Sequence, residues 1–131
     1  MAHAVVDASV IVDLLIEHPR TAAVRTAIEG VDGVAPALLD AEVLHAVTRY
    51  VRRGELSEDR AQQALSLLVD ADIERFPIAP LVLPAWELRH NVSSYDAVYV
   101  ALARELRCPL ITCDRALAGA PGLGISVTVI G

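Results

Sequence analysis

Lysine is absent from the sequence, because all 11 basic residues among the 131 are arginines. Sites that depend on a lysine are therefore excluded, among them the P-loop, whose lysine contacts the phosphates of a bound nucleotide. Acidic residues outnumber basic ones by 17 to 11, and the net charge of −6 argues against nucleic-acid binding through bulk positive charge. An acidic protein can still bind a nucleic acid if its acidic residues surround bound cations, because the cations cancel part of the negative field of those residues.

Cysteines and long apolar runs are also scarce. The two cysteines, Cys108 and Cys113, form no Cys-x-x-Cys pair and no histidines cluster near them, so we expect two reduced thiols without a metal. No apolar run has the length of a transmembrane helix. The apolar N-terminal segment contains Asp7 and Asp13 and lacks a basic leader, which argues against a signal peptide and favours the cytoplasm.

Hydrophobic residues make up 54% of the chain, enough for a sizeable core, and 131 residues is the size of one ordinary domain. Short apolar runs alternate with longer segments of helical period, which predicts an α/β domain of residues 1–131 with a parallel sheet. The predicted strands are His3–Asp7, Gly33–Ala37, Ile73–Phe76, Leu110–Thr112 and Ile125–Ile130. The predicted helices are Ser9–Glu17, Arg20–Glu29, Leu39–Arg53, Ser57–Ala71, Pro84–His90, Tyr95–Leu106 and Asp114–Leu117.

Four acidic residues stand where such a fold would bring them together. Asp7 ends the first strand, and Asp114 follows the strand Leu110–Thr112. Asp96 opens the helix before that strand, and Glu42 lies near the start of the helix after the second strand. Ligands of an open parallel sheet bind beyond the carboxyl ends of its strands, so we expect the four carboxylates to converge there.

Four carboxylates at one place repel one another, and a hard divalent cation such as Mg²⁺ or Mn²⁺ is their natural partner. Such a site supports hydrolysis of a phosphodiester, because the cation lowers the pKa of a bound water and neutralises the phosphate. Each acid taken alone has a simpler interpretation as a helix cap or as compensation of a helix dipole. The combination of four at one edge favours the metal site.

In four blocks the sequence resembles the PIN-domain nucleases, and within them the VapC-type toxins of type II toxin–antitoxin systems. The first block is Val5-Val6-Asp7-Ala8-Ser9, and the second is Ala37-Leu-Leu-Asp-Ala-Glu42-Val. The third, Ser94-Tyr-Asp96-Ala-Val-Tyr-Val-Ala-Leu-Ala103, is the most specific. The fourth is Leu110-Ile-Thr-Cys-Asp114-Arg-Ala-Leu117. The resemblance covers nearly the whole chain.

The resemblance implies a three-layer α/β/α fold with a central parallel sheet. It also implies Mg²⁺- or Mn²⁺-dependent endonucleolytic cleavage of RNA, inhibition by a cognate VapB-type antitoxin in a hetero-oligomer, and a homodimer. Matched by position, the catalytic and metal-binding acids are Asp7, Glu42, Asp96 and Asp114.

Three further residues match or adjoin positions that support such a site. Ser9 and Thr112 match hydroxyl positions that could orient a metal-bound water, although a local turn explains each of them equally well. Arg115 adjoins the last acid and is a candidate for phosphate contact. Some family members carry a fifth acid nearby, but this chain has Ala116 and Ala118 there, so a second metal stays open.

Other polar and aromatic residues receive simpler interpretations. Asp40 is interpreted as a helix cap rather than a ligand, and Asp13 as solvated or peripheral. Trp86 and Tyr99 could stack on bases, but core packing or a dimer interface is favoured for both. Dipole compensation is favoured over RNA contact for three arginines at one helix end: Arg49, Arg52 and Arg53.

Two other functions compete with the nuclease: a phosphotransfer domain and a binding module without catalysis. Haloacid-dehalogenase-like phosphatases and response-regulator receivers also place an aspartate at the end of the first strand, but both need a lysine that this chain lacks. The phosphatases expect a second aspartate where Ser9 stands. A catalytically silent PIN-like module that only binds RNA or protein remains the alternative, although such a scaffold would not need all four acids.

Overall fold

The fold of residues 2–131, described here from a computed structural model, is built on one sheet of five parallel strands. The order of the strands is β3-β2-β1-β4-β5. Because β1 and β4 are the inner pair next to β2, their carboxyl ends lie in the middle of one edge of the sheet. The strands are β1 (Ala2–Val6), β2 (Val31–Pro36), β3 (Glu74–Phe76), β4 (Leu110–Thr112) and β5 (Val127–Val129).

Helices cover both faces of the sheet and give three layers. On one face α6 packs against β1, β2 and α5, and on the other α1 packs against α2, α3 and α4. The predicted three-layer α/β/α fold is confirmed. The helices within residues 2–131 are α1 (Ala8–Leu15), α2 (Thr21–Ile28), α3 (Leu38–Arg52), α4 (Glu58–Asp70), α5 (Val82–Trp86), α6 (Ser94–Leu106) and α7 (Arg115–Gly119).

The buried strand β1 shows why the apolar runs are continuous. Val5 packs into the core beneath α6, whereas Val6 packs into the core formed with α1, α3 and α4. From Ala4 to Val6 each face of the strand meets a helical layer, so no position there is left for an alternating polar residue, whereas His3 near the start of the strand is exposed. The same holds for α6, whose residues Ala97–Ala103 are all buried.

The register of the central strands fixes the edge at which the acids lie. Val6 of β1 is level with Ile111 of β4, and the amide of Asp7 donates to the carbonyl of Ile111 at 3.0 Å. Asp7 therefore lies beside Thr112, at the point where both strands end. Parallel pairing thus brings together residues that are more than one hundred positions apart in the chain.

Several element boundaries differ from the prediction. Strand β2 begins two residues earlier, at Val31, because its first half lies at the less buried end of the sheet. Helix α5 covers Val82–Trp86 instead of Pro84–His90, since a proline is tolerated in the first turn of a helix. Trp86 is 62% exposed and so is not a core residue.

Two acids have structural partners that were not predicted. Asp40 is not a cap, because Ala37 precedes the first residue of α3 and Asp40 instead pairs with Arg75 at 3.1 Å. Asp13 is not solvated, because it is only 4% exposed and lies 3.0 Å from the Nε atom of Arg20. Within residues 2–131 no helix combines the length and apolarity needed to cross a membrane.

Candidate metal and active site

The carboxylate of Asp7 lies at the centre of the candidate site. Asp7 caps α1 and is only 8% exposed. Its Oδ1 atom accepts from the amide of Ala8 at 2.8 Å, and its Oδ2 atom accepts from the hydroxyls of Ser9 at 2.9 Å and Thr112 at 2.7 Å. A buried carboxylate needs such donors, and three of them hold this one in a single orientation.

The hydroxyl of Thr112 connects the ends of β1 and β4. Thr112 is fully buried, and its Oγ1 atom accepts from the amide of Asp114 at 3.0 Å while it donates to Asp7. The Ser9 hydroxyl similarly accepts from the amide of Cys113 at 3.1 Å. Both hydroxyl groups donate to Asp7, so they position that carboxylate and the loop that carries Asp114.

Helix starts position the other acids. Asp114 caps α7 by accepting from the amide of Ala116 at 2.9 Å, and its side chain is exposed. Asp96 lies in the first turn of α6, which Ser93 caps. Glu42 is the fifth residue of α3, one residue further along its helix than predicted and just past the first turn, because α3 begins at Leu38 instead of Leu39. Glu42 and Asp96 are both half-buried.

Glu42 and Asp96 lie close enough to the other acids for their ionisation to be affected. Burial raises the pKa of Glu42, and the charges of Asp7 and Asp96 raise it further. Burial likewise raises the pKa of Asp96, and the charges of Asp7 and Asp114 add to the effect. Opposing contributions come from Tyr99 at Glu42 and from Ser93 at Asp96.

The carboxylates converge without forming a closed set of ligands. Across residues 2–131, no three side chains of histidine, cysteine, aspartate or glutamate lie close enough together to hold a metal ion as they stand. Side chains must therefore move before three or more of these acids can share a cation.

Tyr99 is a site residue that sequence reasoning assigned to the core or a dimer interface. It is 1% exposed and so lies in the core, but its hydroxyl is near Glu42, and burial followed by Glu42 raises the pKa of the phenol. The Tyr99 hydroxyl is close enough to Glu42 to lower the pKa of that carboxyl, but the two are not aligned for a full hydrogen bond, and the Oε1 atom of Glu42 is buried without another partner. The sequence does contain a signal for this placement. Tyr99 follows Asp96 by three residues, so the two side chains lie on one face of α6.

A buried carboxylate oxygen without a partner suits a divalent cation. Mg²⁺ and Mn²⁺ bind oxygen ligands, and a cation near Glu42 would satisfy its Oε1 atom and offset the repulsion from Asp7 and Asp96. The donor set at this edge therefore fits the cation that the sequence predicted.

A family model described as the PIN domain matches residues 4–123. The chain belongs to the PIN-domain family. This PIN domain is 45% identical to Ribonuclease VapC1 of Mycobacterium tuberculosis over 99% of both chains. It is 34% identical to Ribonuclease VapC12 of the same species, over 96% of this chain and 98% of the relative.

A solved structure has the same fold at low sequence identity. It is the crystal structure of VapBC2 from Rickettsia felis bound to a DNA fragment from their promoter, and it superposes on this PIN domain with a TM-score of 0.73. The match covers 100% of both chains at 14% identity, so it shows the shared fold alone.

The remaining predicted residue, Arg115, lies at the start of α7. Its side chain is exposed and donates from Nη2 to the carbonyl of Gly131 at 3.0 Å. That contact directs the guanidinium towards the C-terminal residue. Phosphate contact by Arg115 stays a prediction.

Replacing Thr112 with valine tests the link between β1 and β4. We expect Thr112→Val to lower the free energy of unfolding by about 1–3 kcal/mol, because Asp7 loses a donor and the amide of Asp114 loses its acceptor. Urea denaturation measures the change. Thr112→Ser should retain most of the stability, and Thr128→Val, the same change at an exposed strand position, should alter it little. A Thr112→Val protein as stable as the wild type would show that the link is unimportant.

The raised pKa values of Glu42 and Asp96 predict how the stability of the protein changes with pH. With EDTA present, the folded protein binds protons at a higher pH than the unfolded chain does, so the contribution of these groups to stability increases as the pH falls through the raised values. We expect the double variant Glu42→Gln, Asp96→Asn to be more stable than the wild type at neutral pH. The difference should shrink towards pH 4. Thermal melting measures the difference in stability between the two proteins. A difference that does not change with pH would show that the pKa values of Glu42 and Asp96 are not raised.

Proposed function

We propose that this PIN domain, as a single domain of residues 1–131, is a Mg²⁺- or Mn²⁺-dependent endoribonuclease. In this proposal Asp7, Glu42, Asp96 and Asp114 hold the cation and so catalyse hydrolysis of RNA phosphodiester bonds. The observation that carries the proposal is the placement of the four acids at one edge of the sheet, where Asp7 and its acidic neighbours raise the pKa values of Glu42 and Asp96. The relatives named Ribonuclease VapC, which match over almost the whole chain, support RNA as the substrate.

The residues of the site have distinct tasks. When bound, a divalent cation supplies Lewis acidity towards the scissile phosphate and lowers the pKa of the attacking water. Asp7, held by Ser9 and Thr112, provides a fixed carboxylate at the centre. Burial and the charge of Asp7 raise the pKa values of Glu42 and Asp96, so these two carboxylates would gain most from a bound cation.

We propose further that the protein is the toxin of a type II toxin–antitoxin pair acting in the cytoplasm. The solved VapBC2 structure named above supports a VapB-type antitoxin as the partner. In this proposal the partners form a hetero-oligomer that contains a toxin homodimer. Charge complementarity requires the antitoxin to be basic where it meets the acidic edge of the sheet.

Cleavage of RNA by purified protein tests the nuclease directly. With Mg²⁺ or Mn²⁺, the wild type should cut members of a panel of structured RNAs, and Asp7→Asn and Asp96→Asn should be slower by at least about 100-fold, because loss of a metal ligand removes several kcal/mol of charge stabilisation in the transition state. Asp70→Asn is the matched control, since Asp70 is an exposed acid at the end of α4.

Two outcomes of that assay have different meanings. Equal cleavage by wild type and Asp7→Asn would identify a contaminating nuclease. No cleavage by folded wild type with either metal would favour the catalytically silent binding module. Thermal melting provides a second readout, because Mn²⁺ should stabilise the wild type more than Asp96→Asn.

Expression in bacterial cells tests the toxin role. Induction without an antitoxin should arrest growth, because RNA cleavage is unopposed, and sequencing of RNA ends should reveal new termini at recurrent sites. Induction of Asp7→Asn at the same protein level is the control. Unimpaired growth with soluble wild-type protein would exclude the toxin role and leave the nuclease assignment intact.

A further inference from the structure

A groove lies between α1 and α3 and opens at the acidic edge of the sheet. Ser9 and Glu42 line the end of this groove that belongs to the candidate active site. Three residues with basic side chains, His45, Arg49 and Arg53, line its remaining length along α3. We call these five residues the α3 groove. The ion pair of Asp13 and Arg20 also lines the groove and adds no net charge, so the charge changes from negative at the carboxylates to positive at the end of α3.

Helical geometry explains how these side chains share the groove. From Glu42, the spacings to His45, Arg49 and Arg53 are three, seven and eleven residues, which all fall on one face of an α-helix. With a rise of about 1.5 Å per residue, Arg49 lies roughly 10 Å and Arg53 roughly 16 Å along the axis from Glu42. The positive charge therefore begins about two turns from the site of chemistry.

The two arginines have no intramolecular task in the part of the chain from residue 2 to 131. Both are exposed, and neither forms an ion pair or a side-chain hydrogen bond there. Three other arginines contrast with them, because each lies within 4.0 Å of a carboxylate: Arg20, Arg60 and Arg75.

Dipole compensation does not account for the position of these charges. Arg52 lies at the same end of α3 and is equally exposed, but it is not among the residues that line the groove. Any cation in the last turn would interact with the helix dipole. A role in the groove, by contrast, distinguishes Arg49 and Arg53 from Arg52.

We propose that the α3 groove is a subsite for the RNA backbone, in which Arg49 and Arg53 bind phosphates that flank the scissile one. The guanidinium group is suited to this, because its planar set of donors binds phosphate oxygens bidentately. A molecule with a net charge of −6 needs local cations to hold a polyanion beside four carboxylates. The inference rests on the proposed function, since it takes RNA as the substrate.

Binding without cleavage separates this subsite from the chemistry. The protein is titrated in EDTA into a 5′-labelled 12-nucleotide poly(U), and fluorescence anisotropy is recorded at several salt concentrations. We expect the double variant Arg49→Gln, Arg53→Gln to bind at least about 10-fold more weakly at low salt. The slope of log K against log salt should decrease by about 1.4, at about 0.7 per phosphate contact on single strands.

Arg52→Gln is the matched control, because it removes the same charge from the same helix end. We expect its affinity for poly(U) to stay within twofold of the wild type. An equal loss for Arg52→Gln and for either single groove variant would show that bulk charge is responsible and would overturn the subsite. Unchanged affinity of the double variant would overturn it as well.

Two further measurements complete the test. In the cleavage assay the double variant should raise KM and keep kcat within about twofold, as expected for a residue that binds substrate away from the reacting bond. A fall in kcat with unchanged KM would overturn the subsite. Poly-glutamate is a second probe. If the double variant binds poly-glutamate more weakly than the wild type does but binds poly(U) equally well, the groove binds an acidic protein segment, and the proposal is overturned. Failure of the wild type to cleave RNA bears on the proposed function alone, because the anisotropy titration does not depend on cleavage.

Discussion

Parallel pairing of β1 with β4 concentrates negative charge at one edge of the sheet, and the site described above depends on that concentration. Asp7 and Asp114 follow strands that end side by side, while Glu42 and Asp96 reach the same edge from α3 and α6. Burial makes the charged forms of Glu42 and Asp96 less favourable, and their neighbours add repulsion. Donors surround Asp7, and in the proposed function a cation offsets the remaining repulsion.

Thr112 illustrates how the fold supports the site. As a buried residue of a central strand it belongs to the core, yet its hydroxyl donates to one acid and accepts from the backbone of another. Strand register and carboxylate position are thereby coupled. A structural residue can thus decide the geometry of a site without contacting substrate.

The strand ends and the acids that follow them could be predicted from the sequence, because an apolar run that stops at an aspartate is a local pattern. The partner of Asp13 could not be predicted in this way, since Arg20 reaches it only after the chain turns back beyond α1. The hydroxyl of Tyr99 was missed because hydropathy places a tyrosine in the core and says nothing about where its polar end lies. The α3 groove was missed for a similar reason, because it needs α1 and α3 to be packed together.

The most direct test is a crystal structure grown with Mn²⁺, in which anomalous scattering locates the metal. The account predicts a peak at the carboxyl edge of the sheet, with oxygen ligands at about 2.0–2.4 Å from at least two of the four acids, in the range of hard-cation coordination. Those acids are Asp7, Glu42, Asp96 and Asp114. An ordered structure with no peak at that edge, at a Mn²⁺ concentration that supports cleavage, would contradict it.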